Sequence, residues 1–412
     1  MFNRRQFLDR ALRTSSLFAL APVVPQFIAN TAMSAEVGKD TVLVVIEMTG
    51  GNDGLNMVIP YGDDLYHKAR PTLGLKKEQV IHLDDYLGLH SALKSLETLL
   101  KDDQLAIVQG VGYPNPDRSH FESMDTWQSA YLRKKSDSGW IGRSIPGLQN
   151  ERGGVPAMHV GPTRLPLALQ GNGSGVVSVS DPDTYRLDLG NDGPERQKMR
   201  RKLLENMITP APKEDPIDLL QFVQRRQLQT YATLDRLQDV LKDNKPTNPT
   251  SATSLGQKLQ LIARVVTLGL GTRVFYTAID GFDTHSGQAS AHANLLQQLG
   301  DSLAAFFKEL KTLGHEKRVV VTTFSEFGRR VQENGGGTDH GAASCLFVAG
   351  PGVKGGLVGK HPSLKDLDNG DLRFHTDFRR VYATLLNKWL GCDDQAVLGA
   401  KFEQLDLLRA KS

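Results

Sequence analysis

Thr41-Val-Leu-Val-Val-Ile-Glu47 is an unbroken apolar, β-branched run, the pattern of a strand covered on both faces. It breaks at once into the turn-rich segment Thr49 to Asn56, where Gly50, Gly51 and Gly54 let backbone come close to a ligand. The same sentence is written twice more. Tyr276 to Ile279 runs into Asp280-Gly-Phe-Asp283-Thr-His285, and Arg318 to Phe324 runs into Ser325-Glu326-Phe327-Gly328-Arg329-Arg330. Acids and imidazoles leaving strand ends into glycine-rich loops are how an α/β sheet builds a site.

The stretches between these runs read as helices. Leu93, Leu96, Leu99 and Leu100 mark one face before a strand at Leu105 to Val108, an order that points to a crossover in a parallel sheet. Leu259 to Leu268 look helical, and Leu295, Leu296, Leu299, Leu303, Phe306, Phe307 and Leu310 trace one face of a long helix. Cys345 to Ala349 is a further strand and Phe378 to Leu390 a closing helix. The fold expected is α/β: a mostly parallel central sheet with helices on both faces, in one domain over residues 36–412. Residues 181–253 are polar and read as a helical insertion, either a lid or a plain appendage.

At the N-terminus Asn3-Arg4-Arg5-Gln6-Phe7-Leu8 precedes a moderately apolar stretch, Leu17 to Ile28, and small residues at Ala32, Ser34 and Ala35. That is the layout of a twin-arginine export signal over residues 1–35, so a periplasmic or extracellular location and contact with the twin-arginine export machinery are expected. No other segment approaches the ~18 apolar residues that cross a bilayer. Arg4, Arg5, Arg10 and Arg13 stand against Asp9 alone before residue 35, and the remainder carries 45 basic and 45 acidic residues. A balanced surface argues against nucleic acid or an anionic membrane as partner. The two cysteines, Cys345 and Cys392, exclude a disulfide scaffold and a four-cysteine zinc site.

Asp283 and His285 are two apart, so on extended backbone both side chains leave one face and one metal could take both; the alternative is an Asp turn cap bonded to the His. Asp339-His340 follows three glycines, Gly335 to Gly337, and is either a ligand pair or a surface turn. Glu326 beside Arg329 and Arg330 is either a metal ligand flanked by anion-binding guanidiniums or a salt-bridge cluster. Ser119, with His120 next to it, is a candidate nucleophile at a helix N-terminus or the first residue of a capping box with Glu122. There is no G-x-S-x-G elbow, no Walker lysine and no H-E-x-x-H.

Gly50-Gly-Asn-Asp-Gly-Leu-Asn56, Arg118-Ser-His-Phe-Glu122, Gly281-Phe-Asp-Thr-His285, the Ser325 to Arg330 segment and Gly337-Thr-Asp-His-Gly341 together resemble the exported bacterial family known as domain of unknown function 1501. That family is similar to the alkaline phosphatase-like and sulfatase-like superfamily. The resemblance implies a divalent metal cofactor, one or two ions of zinc, manganese or calcium, and a small anionic ester as substrate. It implies metal ligands at Asp53, Asp283, His285, Glu326 and His340 and a nucleophile at Ser119; the residues themselves add Asp339 as a ligand, Arg329 as a catalytic anion-binding group, and His120 as a catalytic acid, a ligand or a bystander. Where the superfamily usually has an Asp-His pair, this chain reads Glu326-Phe327, and the C-x-P-x-R pattern of sulfatases is absent. A non-catalytic exported protein with a structural metal and a protein partner is the other expectation.

Overall fold

The computed structural model describes residues 40–132, 135–148, 155–162, 164–171, 176–179 and 253–410. The segment read as an export signal and the insertion at 181–253, apart from Thr253, lie outside the described residues. All of the described residues belong to one compact unit, Lys39–Ser412.

The strands of the main sheet are, in chain order, β1 Val42–Thr49, β2 Leu105–Gly112, β3 Ala157–Val160, β4 Val176–Val179, β5 Val274–Asp280, β6 Val319–Phe324, β7 Ser344–Ala349, β8 Gly356–Val358 and β9 Thr376–Asp377. Their order across the sheet is β8-β2-β7-β6-β1-β5-β3-β4, with β9 beside the far end of β2. Every pairing is parallel except those of β7, which runs antiparallel to both β2 and β6. The sheet is thus mostly parallel and the chain is α/β, as the continuous apolar runs require. β1 and β2 point the same way, but β6 and β7 lie between them, so the strand pair that is close in sequence is not adjacent in space.

Alternate residues of β1 feed two separate cores because side chains leave a strand on opposite faces. Val42, Val44, Ile46 and Met48 join Phe275, Ile279, Val319 and Val321 against two helices, α3 Ser254–Thr267 and α4 Gln288–Thr312. Leu43 and Val45 join Val274, Tyr276, Val320 and Phe324 on the other face, under α1 His120–Ser129, α2 Trp140–Leu148 and α5 Phe378–Thr384. Each fully buried Val, Leu or Ile contributes roughly 1.5–3 kcal/mol, so the all-buried character of β1 reflects cover on both sides. The closing helix differs from the reading as one α-helix: after Thr384 it continues as a π-helical turn, Leu385–Leu390, and stops at Gly391, whose φ of 71° no longer follows the helix.

The parallel register fixes where the site can be. Thr49 pairs with Asp280 and Glu47 with Phe324, so the chain leaves β1, β5 and β6 at one rim of the sheet. Three loops that are far apart in sequence emerge there side by side.

Candidate metal centre

After β5 the chain turns at Gly281, and the Phe282 N–H donates to the Thr49 carbonyl at 3.0 Å, which pins the loop to the end of β1. Asp283 and His285 follow. The β1 loop passes beneath them at Gly50, with a φ of 116°, where a Cβ would stand 2.4 Å from the Asp283 nitrogen. At Gly51, with a φ of 82°, a Cβ would meet the Phe327 ring at 2.3 Å. Only glycine allows this approach.

The loop between β6 and β7 doubles back on itself: Arg330 N–H donates to the Asp339 carbonyl at 3.0 Å and Gly341 N–H to that of Gly328 at 2.8 Å. This turn carries His340 to Asp283. From the other side α1 begins at His120, held near the β6 loop by a hydrogen bond from the Ser123 hydroxyl to the Glu326 carbonyl.

Three imidazoles converge on one carboxylate. Nε2 of His340 lies 3.0 Å and Nε2 of His285 3.1 Å from Asp283 Oδ1, and Nε2 of His120 lies 3.5 Å from Oδ2. Ligating atoms of His120, Asp283 and His340 all fall within 4.8 Å of one another. The remaining ring nitrogens each face an oxygen. His120 Nδ1 is 2.9 Å from Glu326 Oε1, His340 Nδ1 is 2.9 Å from the Arg118 carbonyl, and His285 Nδ1 is 3.2 Å from Asp339 Oδ1. A peptide carbonyl only accepts, so His340 carries a proton on Nδ1, and as a neutral ring it leaves Nε2 free to bind an ion. The other two rings are arranged alike.

This arrangement is the one that histidines take around a metal, with the outer N–H tied to a carboxylate or carbonyl. Nitrogen-rich donors with one carboxylate fit zinc and other first-row ions, and do not suit calcium, which takes oxygens. Burial works against the Asp283 charge, but the Arg329 guanidinium, which donates to it, and the adjoining His340 and His285 rings push its carboxyl down to about 2.

The expected ligands therefore divide. Asp283, His285 and His340 come together, and His120, whose sequence context left ligand, acid and bystander open, joins them. Glu326 sits one layer out: it is 1% exposed, and besides His120 it accepts from the Gly50 N–H at 2.8 Å, with the Ser325 hydroxyl 3.1 Å from its other oxygen. Asp339 likewise backs His285 and takes the Asn334 amide at 3.1 Å. Asp53 is elsewhere engaged. Its carboxylate caps the short helix Gly54–Met57, accepts from both terminal nitrogens of Arg70 at 2.6 and 3.2 Å and from Gln288, and is fully buried.

Arg329 is not placed to bind an anionic substrate. Its guanidinium is buried beneath the site and donates to the carbonyls of Gly50, Gly51, Phe282 and Thr338 as well as to Asp283. Each of its three nitrogens donates to at least one of the three loops. Ser119 is the exposed N-cap of α1 and its hydroxyl makes no capping bond, so the capping box with Glu122 is not formed. Phe327, at the position where a histidine was missed, is 2% exposed and lies under the rings of His120 and His340, with centroids 5.1 and 4.6 Å away. Arg118 was not singled out from the sequence; its part in holding His340 is played by a backbone carbonyl, which leaves no mark on residue identity.

A family model described as "Protein of unknown function (DUF1501)" matches residues 40–405. Among curated proteins none matches. Similar solved structures include a putative sulfatase from Bacteroides thetaiotaomicron VPI-5482, 10% identical, covering 89% of this chain and 76% of its own, with a TM-score of 0.39. The zinc complex of the C-terminal periplasmic domain of EcEptC from Escherichia coli is 10% identical, with 87% and 84% covered and a TM-score of 0.38. A protein in the alkaline phosphatase superfamily from Vibrio parahaemolyticus is 10% identical, with 88% and 69% covered and a TM-score of 0.34. Likenesses of this degree carry nothing about chemistry.

Proposed function

The chain belongs to the DUF1501 family, and from that premise we propose that it is an exported metal-dependent hydrolase of phosphate-type or related esters. Nε2 of His120, His285 and His340 with Asp283 would hold one divalent ion, zinc by donor type. The observation that carries the proposal is the inward convergence of these imidazoles, each with its outer nitrogen against an oxygen.

A divalent ion held there supplies a Lewis acid for an ester oxygen. The residues provide the rest. Ser119 stands at the N-terminus of α1, between the residue whose carbonyl holds His340 and the histidine that faces Asp283. Free N–H groups at a helix start favour an anionic ester. In this reading Ser119 Oγ bonds to phosphorus as the bond to the alcohol oxygen breaks, and the hydroxyl proton ends on the departing alcohol. Water then releases the phosphate from Ser119. Asp283 is 45% exposed at its side chain, and His120 and His285 are also open to solvent. Structural zinc sites are closed and catalytic ones keep an open side, which favours an enzyme over a binding protein with a structural ion.

Export rests on the Arg4-Arg5 pattern; among the described residues no helix is long and apolar enough to cross a membrane. The test pairs metal analysis of the purified protein with a screen of phosphate and sulfate esters. One ion per chain, with turnover lost in Ser119→Ala and in His340→Ala, is the expected result. A bound ion with no ester turned over would turn the reading to a binding protein.

A further inference from the structure

His340 reaches the centre from a turn that has little of its own to hold it. The chain leading there passes through Gly335, Gly336 and Gly337, and at the first two a Cβ would meet nothing within 4 Å. Glycines without neighbours leave a loop its conformational freedom. Asn334 ties the turn through the Gly337 N–H at 3.0 Å and Asp339 at 3.1 Å, but from the exposed side, where hydrogen bonds are weakest. The side chain that follows the glycines is Thr338, and it is fully buried.

Thr338 ties its own loop to that of His285: its N–H donates to the Thr284 carbonyl at 3.2 Å, between Asp283 and His285. Its hydroxyl is held by Gln288, the first residue of α4, which is 1% exposed. The Gln288 side chain faces two ways. Nε2 donates to Asp53 Oδ2, and Oε1 accepts from Thr338 Oγ1 at 2.6 Å, while the Gln288 N–H donates to the Gly336 carbonyl at 3.0 Å. The amide cannot be turned round, because the Asp53 carboxylate, paired with Arg70, only accepts. Arg70 in turn donates to the carbonyls of Arg330 and Val331 at 2.8 and 2.7 Å. The loop between β6 and β7 is therefore gripped on its outgoing limb by Arg70 and on its returning limb by Gln288, with the Asp53 charge joining the two.

We infer that Gln288 is a positioning residue: through the Thr338 hydroxyl it sets where His340 and His285 stand relative to Asp283, and so how tightly the centre holds its ion. The last clause rests on the metal reading of the site; the first is measured without metal. Thr338→Val keeps the volume and the backbone bonds but removes the hydroxyl, Thr338→Ser keeps the hydroxyl and gives up a methyl group, and Gln288→Met removes the amide. Packing alone favours valine over serine, and positioning favours serine. In chelator-treated protein, amide hydrogen exchange at position 338 and at Gly341 should quicken tenfold or more, beyond any change in β1, in Thr338→Val and in Gln288→Met. In Thr338→Ser it should stay within twofold of the wild type. Zinc affinity, from competition with a chelator, should fall tenfold or more in the first two variants and hold in Thr338→Ser. The double variant should lose little beyond the worse single one, since both break the same chain of bonds. Thr338→Val decides the matter by itself if Gln288→Met does not fold.

Faster exchange with zinc held as in the wild type makes Gln288 a structural support only and overturns the proposal. So do losses that add in the double variant, or exchange no faster in Thr338→Val than in Thr338→Ser. A wild type that binds no zinc, with the exchange pattern as expected, removes the metal from the centre and keeps Gln288 as the residue that places its imidazoles.

Discussion

Nε2 of His285 and Nε2 of His340 stand 3.0 Å apart, although each ring already turns its other nitrogen to an oxygen. Two inward lone pairs at that distance repel, and they also face the oxygens of Asp283. A shared cation removes the repulsion. A metal ion, as proposed, is one such cation; a proton on either Nε2, hydrogen-bonded to Asp283, is the other.

Zinc added to chelator-treated protein should raise its melting temperature. At about 100 times the dissociation constant the gain is ~2.7 kcal/mol. His340→Ala should lose most of it, and a variant that shifts as far as the wild type would remove His340 from the ligand set.

Glu326→Gln should weaken metal binding by roughly 10–100-fold, the usual effect of losing a charged partner behind a ligating histidine. Asp339→Asn should do less, since Asp339 is 57% exposed at its side chain and solvent screens it. Competition with a chromophoric chelator measures both, and the reverse ranking would contradict the buried placement of Glu326.

Asp53→Ala leaves the Arg70 charge buried and unpaired, both side chains being inaccessible. A loss of about 3–5 kcal/mol in urea unfolding is expected, with part of it recovered by adding Arg70→Met. A loss under about 1 kcal/mol, typical of an exposed pair, would mean that Asp53 is open to solvent and free to ligate.

Burial holds the His292 imidazole down to about 4 from 6.5, against the pull of Asp53, and its Nε2 lies 2.9 Å from the Asn52 side-chain oxygen. Between those values the unfolded chain takes the proton and the folded one does not. Its contribution is therefore complete above pH 6.5 and is lost as pH falls to about 4. Burial sets His361 the same way, whereas Glu47, raised from 4.5 by burial, runs opposite. The informative quantity is the difference: urea midpoints of chelator-treated protein should fall less from pH 7 to 4.5 in His292→Gln than in the wild type. Parallel curves would refute the assignment.

Arg4→Lys with Arg5→Lys should keep the precursor in the cytoplasm, read by cell fractionation. Normal export of that variant would end the twin-arginine reading.

The strands at the rim were legible because burial on both faces writes itself into composition: β1 and β6 are buried at nearly every position and most of their residues are apolar. The loops after them were legible too, since glycine, acid and histidine stand out against such runs. The rank of each acid was not. Asp53, Asp283 and Glu326 all follow strands, yet Arg70 claims the first, and the third lies behind His120. Arg329 looked free to meet an anion and is consumed by carbonyls that no residue type announces.

What the sequence determined by itself is the set of chemical groups delivered to one rim of a mostly parallel sheet, because hydrophobic periodicity sets strand and helix and glycine sets the bends. Tertiary structure alone decided which of those groups touch. Contacts such as Arg118 carbonyl to His340, or Asp371 to Arg118, join residues more than 200 positions apart, and hydrogen-bond geometry at that separation exists only once the chain has packed.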